Sequence, residues 1–212
     1  MSRNLKGVLV VLAVVGLASE QRAHADTESK FAELRDKSDR FEGSFAAFLD
    51  RFVGECNDPL EASTCKQASA EFRKKVKGKK FYFIIGEDQV SNLSAGSYNP
   101  SRNEFTVNLT PFFPAGGYAL TQGAPKKTDA NGNPVFPFLP IKVKLPPDFS
   151  PQRFARTIGN KEVRMQLVFT PQDTWAIAKR GGGKLEGVQA QLEGVVLSLA
   201  SSGDTLGAYY GR

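Results

Sequence analysis

Cys56 and Cys65 are the only two cysteines among 212 residues, and eight residues separate them in the stretch GECNDPLEASTCKQ. Such a pair can be a redox couple, two ligands of a metal site, or a structural crosslink. A redox couple more usually has the tight C-x-x-C spacing. Two thiolates alone do not complete a zinc site, whose other ligands are commonly histidines, and the chain has one histidine, His24. An even cysteine count fits a crosslink if the protein matures in an oxidising compartment.

The second chemically distinct stretch is RKKVKGKK, in which Arg73, Lys74, Lys75, Lys77, Lys79 and Lys80 place six cations in eight residues. At the end of a helix such a run suits phosphate-rich partners such as lipopolysaccharide or anionic lipid. The alternative is a solvated helix end whose cations oppose the negative pole of the helix dipole. No aromatic residue interleaves the run to stack on bases, so nucleic acid is not expected as a partner.

Other motifs carry less. DANGN (Asp129 to Asn133) has alternating oxygen ligands and a glycine, but Gly132 comes early for a calcium loop and the distal Glu is missing, so a turn is expected. RGGGKLEG (Arg180 to Gly187) lacks the Ser or Thr that follows the lysine of a phosphate-cradling loop, and is expected to be a flexible turn. Asp148, Asp173, Glu186 and Glu193 fall at strand or helix ends, with Glu87 and Asp88 closing a strand. Two carboxylates held in a cleft would support hydrolysis, but linear order does not show such pairing. Sixteen Phe, five Tyr and one Trp are generous for this length, and those in TPFFP and VFPFLP are expected in the core or in a lipid-contacting patch.

Location decides among these chemistries. Arg3 and Lys6 precede the uncharged run GVLVVLAVVGLA, and the small-x-small triplet Ala23-His24-Ala25 follows, the pattern of a secretory signal peptide cleaved before Asp26. Twelve apolar residues are short of the ~20 a membrane-spanning helix needs, and no later run reaches that length. Arg3, Lys6 and Arg22 against Glu20 give residues 1–25 a net +2, so cleavage lowers the formal charge from +6 to +4. It also removes His24, and a histidine-free chain cannot run Ser-His-Asp or Cys-His catalysis. No cofactor or metal site is expected. In a periplasmic or secreted protein, Cys56 and Cys65 are expected to form a disulfide.

These groups must be positioned by two differently patterned halves. Phe31, Leu34, Phe41, Phe45, Phe48 and Phe52 follow steps of three and four, an amphipathic helical stripe interrupted at Ser38. A second helix is expected to start at DPLE, with Asp58 as cap and Pro59 in its first turn, and to end at Gly78. Residues 26–79 therefore read as a helical hairpin, helices 26–55 and 59–77, stapled by the disulfide. From Lys80 the apolar period falls to two: FYFIIG, EFTVNLT, IKVKL, EVRMQLVFT, TWAIAK, LEGVQAQLEGVVLSLA and TLGAYY read as strands. Turns fall at NPSRN, RGGGK and SSGD, and Gly194 suits a bulge in the longest strand. SPQRFARTIG is one short inserted helix, capped by Ser150 with Pro151 in its first turn. Pro and Gly between Phe112 and Pro140 suggest a long loop around a short strand near Tyr118–Leu120.

The expected fold is α+β: a helical hairpin and an antiparallel β-rich body over 80–212, a sandwich or partly open barrel of about seven to nine strands, forming a single domain. GECNDPLEASTCKQ, KKFYFIIGEDQ and YNPSRNEFTVNLTPFFPAGGYAL, in that order behind a signal peptide, resemble exported proteins of Gram-negative bacteria grouped as a family of unknown function. The resemblance covers most of the mature chain and attaches no catalytic or binding motif to it. The functional expectation is an exported, non-enzymatic, envelope-associated binding or accessory protein. The alternatives are a binder of anionic envelope lipid or polysaccharide through Arg73–Lys80, and a histidine-free, carboxylate-dependent hydrolase.

Overall fold

A computed structural model describes residues 28–40, 43–54, 60–85, 92–146, 148–179 and 182–211. The expected signal segment with Ala23, Ala25 and Asp26, and the residues Phe41, Cys56, Asp58, Pro59, Glu87 and Asp88, lie outside them.

The Phe stripe does not form one helix. Helix α1 (28–36) ends where the Ser38 hydroxyl donates to the Leu34 carbonyl oxygen at 2.6 Å. The chain is then extended at Asp39, whose N–H donates to the Lys80 carbonyl and whose own carbonyl accepts from Tyr82 N–H. Helix α2 (Phe45–Val53) restarts with Ser44 as its cap, the Ser44 hydroxyl accepting from Ala47 N–H, and Gly54 closes it in the left-handed region at φ 71°. Helix α3 follows (Ala62–Val76), its last turn carrying Arg73, Lys74 and Lys75. Two short polar residues and two good caps outweigh the apolar periodicity, which serves two separate surfaces.

The β half begins with β1 (Phe81–Ile85), β2 (Leu93–Asn99), β3 (Glu104–Leu109), β4 (Phe112–Ala115) and β5 (Tyr118–Gln122). A two-residue pair, β6 (Lys127–Thr128) and β7 (Pro134–Val135), stands apart, and β8 (Leu139–Lys144) leads to helix α4 (Pro151–Gly159). Three strands complete the chain: β9 (Val163–Ala178), β10 (Lys184–Leu199) and β11 (Thr205–Tyr210). The main sheet has nine strands with the backbone order β1-β9-β10-β11-β8-β3-β2. Its end strands β1 and β2 do not pair with each other, so it is open and not closed into a barrel.

All pairings but one are antiparallel. β5 runs parallel to β10 along Glu186–Ala190, and β11 takes the same edge of β10 further on, along Gly194–Ser198. The segment 112–140 is thus not a loop around one short strand. β4 and β5 form a hairpin that joins the sheet, with exposed Pro114 in β4, which pairs only with β5. TWAIAK is likewise not a separate strand. β9 runs through Pro171, which sits at a register shift against Gln189/Ala190.

Glu193 is the extra residue where the β9–β10 register shifts between Leu192 and Gly194. Before it, Val188, Ala190 and Leu192 face the main core; after it, Val195, Leu197 and Leu199 do. The extra residue inverts the alternation so that a bent strand keeps one face inward. That core also takes Phe45, Phe48, Leu49 and Phe52 of α2 and Phe154 and Ile158 of α4. Helix α1 lies on the opposite face, where Phe31 and Leu34 pack with Tyr82, Val168 and Val196. The first residues of the Phe stripe and the later ones are therefore on opposite sides of the sheet. The chain passes around the β1 edge between them.

Candidate anion-binding cleft

The β1 edge, where Asp39 pairs with Phe81, is also where the basic run arrives. Val76 is buried and Gly78 takes φ 71°, turning the chain from α3 into β1. The six cations are not one patch. Arg73 Nη1 donates to the carbonyl oxygen of Phe52 at 2.8 Å, engaging a free carbonyl in the last turn of α2. Lys80 reaches Glu193 at 3.1 Å, and the same carboxylate accepts from Thr170 Oγ1 at 2.7 Å. Lys79 pairs with Asp39 at 3.2 Å. Lys74 and Lys77 are exposed, and only Lys75 and Lys79 turn toward a concave surface.

That surface is a cleft of about 290 Å³, lined by Asp39, Arg40, Arg51, Lys75 and Lys79 above Phe48, Phe72 and Phe81. Four elements build it: the crossing segment, α2, α3 and the start of β1. Its aromatic base is well fixed. Phe48 lies edge-on to Phe72 at 5.6 Å between centroids and 5.0 Å from Phe81. The Arg51 guanidinium stacks over the Phe72 ring at 4.3 Å, and Arg40 lies 5.6 Å from the Tyr82 ring. Arg40, Arg51 and Lys75 have no carboxylate within ion-pair distance among the described residues. Among the described residues Asp39 is the sole carboxylate of the lining, and it is engaged by Lys79.

Sequence reasoning placed Lys75 and Lys79 here among six candidates and missed Arg40 and Arg51. Their signal was weak: isolated arginines beside Phe41 and Phe52, on segments read as a single helix. The remaining sequence candidates serve the fold. The Asp129 carboxylate accepts from the backbone N–H of Asn133 at 2.8 Å, from its side-chain amide at 3.1 Å and from the Asn131 N–H at 2.8 Å, which hold it below the usual carboxylate range in an exposed turn. Glu186 pairs with Lys184 at 2.9 Å, and Asp173 accepts from the N–H of Thr174. Of RGGGK, Gly182 and Gly183 lie between β9 and β10 at φ 100° and 80°. No group of three or more His, Cys, Asp or Glu that could hold a metal occurs among the described residues.

Among the described residues no cysteine is free, Cys65 included. Its residue lies in the first turn of α3, two turns before Phe72 and just under three before Lys75.

A helix-flanked, open, mostly antiparallel sheet with a cationic cleft at one edge defines the class of this protein. The chain belongs to a family of unknown function, DUF6066, whose model matches residues 8–211. Searches of curated proteins and of solved structures give no match. An uncharacterised family is what the quoted stretches had implied.

Proposed function

We propose that this protein is an exported, non-enzymatic binding protein of the cell envelope that holds anionic ligands in the cleft between α2, α3 and the β1 edge. One observation carries the reading: Arg51 and Lys75 border a concave, aromatic-based site, with Arg40 at its rim, and have no carboxylate partner among the described residues. Unpaired cations converging on one opening favour an anion, and desolvated aromatic walls strengthen the attraction. This narrows the basic-run expectation from six residues to Lys75 and Lys79, and adds two arginines.

Export rests on the pattern of residues 1–25, with Ala23 and Ala25 before a cleavage point at Asp26, and gives a periplasmic or secreted address. Pairing of Cys65 with Cys56, the other cysteine of the chain, would staple α2 and α3 into a hairpin beneath the cleft. α2 and α3 already meet through Phe48, Phe52 and Phe72, which supports that arrangement. Of the carboxylates considered for a hydrolase, Glu186 and Glu193 are engaged by lysines, which favours binding over hydrolysis at those two.

Cosedimentation with lipopolysaccharide and with anionic and neutral vesicles over a range of salt tests the proposal. Binding to the anionic samples should weaken steeply with salt and be lost in a protein carrying Arg40→Gln, Arg51→Gln and Lys75→Gln. Binding that ignores both salt and the three substitutions would remove the cleft from the function.

A further inference from the structure

We infer that the cleft selects a phosphate monoester, a terminal dianionic phosphoryl group, over phosphodiesters and carboxylates. The inference rests on the anion-binding reading above and concerns which anion that site prefers.

Charge count is the first argument. Lys79 is matched by Asp39, and the Arg40 guanidinium lies over Tyr82, which leaves Arg51 and Lys75 as two cations on the opening with no carboxylate partner among the described residues. A carboxylate or a phosphodiester brings one negative charge. A phosphate monoester brings about −1.5 to −2 at neutral pH and three strong acceptor oxygens. Two cations meeting a dianion is the better match, and one of them is a guanidinium fork suited to bidentate contact with phosphate.

Shape is the second argument. The cleft is a recess of about 290 Å³ with Phe48, Phe72 and Phe81 beneath it. A monoester is terminal and can enter it head first, with its carrier left outside or at the rim. A diester carries a substituent on both sides of the phosphorus and would have to lead one of them back out. Preorganisation is the third. Arg51 is held over the Phe72 ring at 4.3 Å, so less side-chain freedom is lost when it binds.

The phosphoryl group can be borne by a lipid headgroup or by a small soluble molecule, and the experiment separates the two. Titration calorimetry with glycerol 3-phosphate and acetate runs beside vesicle binding with phosphatidic acid or phosphatidylglycerol in a neutral lipid background. Monoester probes are expected to bind roughly tenfold tighter than their diester or carboxylate counterparts, the scale of one charge-assisted hydrogen bond. Monoester binding should also strengthen between pH 5 and 7.5, as the probe loses its second proton near pH ~6. The arginines and lysines of the lining stay charged throughout that range. Binding confined to phosphatidic acid supports a lipid-borne group, and binding of glycerol 3-phosphate supports a soluble one.

Equal binding of monoester, diester and carboxylate, all weakened alike in Lys75→Gln, would overturn the selectivity while leaving anion binding in place. No binding of any anion would overturn both. Lys75 is exposed, so the Lys75→Gln protein should fold as the parent does.

Discussion

Arg73 of α3 donates to the main-chain carbonyl of Phe52, 2.8 Å away in the last turn of α2. A cation of the basic run therefore works inward, holding two helices together where an orphan carbonyl needs a donor. Arg73→Ala should cost about 1.5–3 kcal/mol, the range for hydrogen bonds to charged groups. Urea denaturation should show that loss, while anion binding at saturating folded protein should stay unchanged.

Gly187 lies directly across from Trp175 in the β9–β10 register, and the indole covers it. A Cβ at position 187 would overlap both the Trp175 ring and the main-chain oxygen of Ala119 on β5. The main-chain oxygen cannot swing aside without breaking the parallel β5–β10 pairing. Gly187→Ala should destabilise by roughly 1–3 kcal/mol or more, as overpacking does. A melting temperature equal to that of the parent would show that β5 is not seated as described.

Cations of the run should divide by where they point. Lys74→Gln and Lys77→Gln lie outside the cleft and should leave anion binding within about twofold, as befits exposed charges. Arg51→Gln and Lys75→Gln should each weaken it about tenfold, one charge-assisted contact apiece. Asp39→Asn frees Lys79 for the ligand and should tighten binding, at a stability cost of about 0–1 kcal/mol for an exposed ion pair. Equal losses from Lys74, Lys75 and Lys77 would restore the diffuse-patch reading.

Burial raises the phenols of Tyr82 and Tyr210 above the ordinary tyrosine value of 10.0, partly opposed at Tyr82 by Arg35 and Arg40. The folded state then holds these protons more tightly than the unfolded state. Their contribution to stability is complete below pH ~10 and is lost as pH rises through the folded values. Alkaline titration followed at the tyrosinate absorbance should show late-ionising phenols, one fewer in Tyr82→Phe. That variant also loses the 2.6 Å bond from the Tyr82 hydroxyl to Gln166 and should be less stable at neutral pH.

Reduction tests the staple. If Cys65 pairs with Cys56, closing a loop of about ten residues should contribute roughly 2–3 kcal/mol in the chain-entropy account. Reductant should lower the melting temperature, and Cys65→Ser should reproduce the effect. An unchanged melting temperature would exclude a stabilising crosslink there.

Local chemistry was readable from the sequence and long-range geometry much less so. Ser150 and Pro151 specified α4 because a cap and its first turn are settled within three residues, and the Ser150 hydroxyl does accept from Arg153 N–H. The bulge beside Gly194 was likewise visible as a glycine in a long apolar strand. β2 was not, because Ser94, Ala95, Ser97 and Asn99 are all exposed and no alternation marks them. The split between α1 and α2 was hidden because Phe31 and Phe48 obey one helical period while packing on opposite faces of the sheet. The cleft was only half legible for the same reason. Lys75 announced itself in a run, whereas Arg40 and Arg51 reach the cleft only once the chain has rounded the β1 edge.

The two 16-residue strands β9 and β10 have a bearing on the order in which the molecule assembles. Phe81 finds its partner in Phe169, Leu120 in Val188 and Val143 in Gly207. β1, β5 and one side of β8 thus await neighbours made much later, while β2–β3, β4–β5 and β6–β7 and the β3–β8 pairing join strands already made. High sequence separation of this kind slows folding and leaves strand edges unpaired for longer. During synthesis most of the chain waits as a set of unjoined pieces, until the β9–β10 ribbon emerges and gathers them.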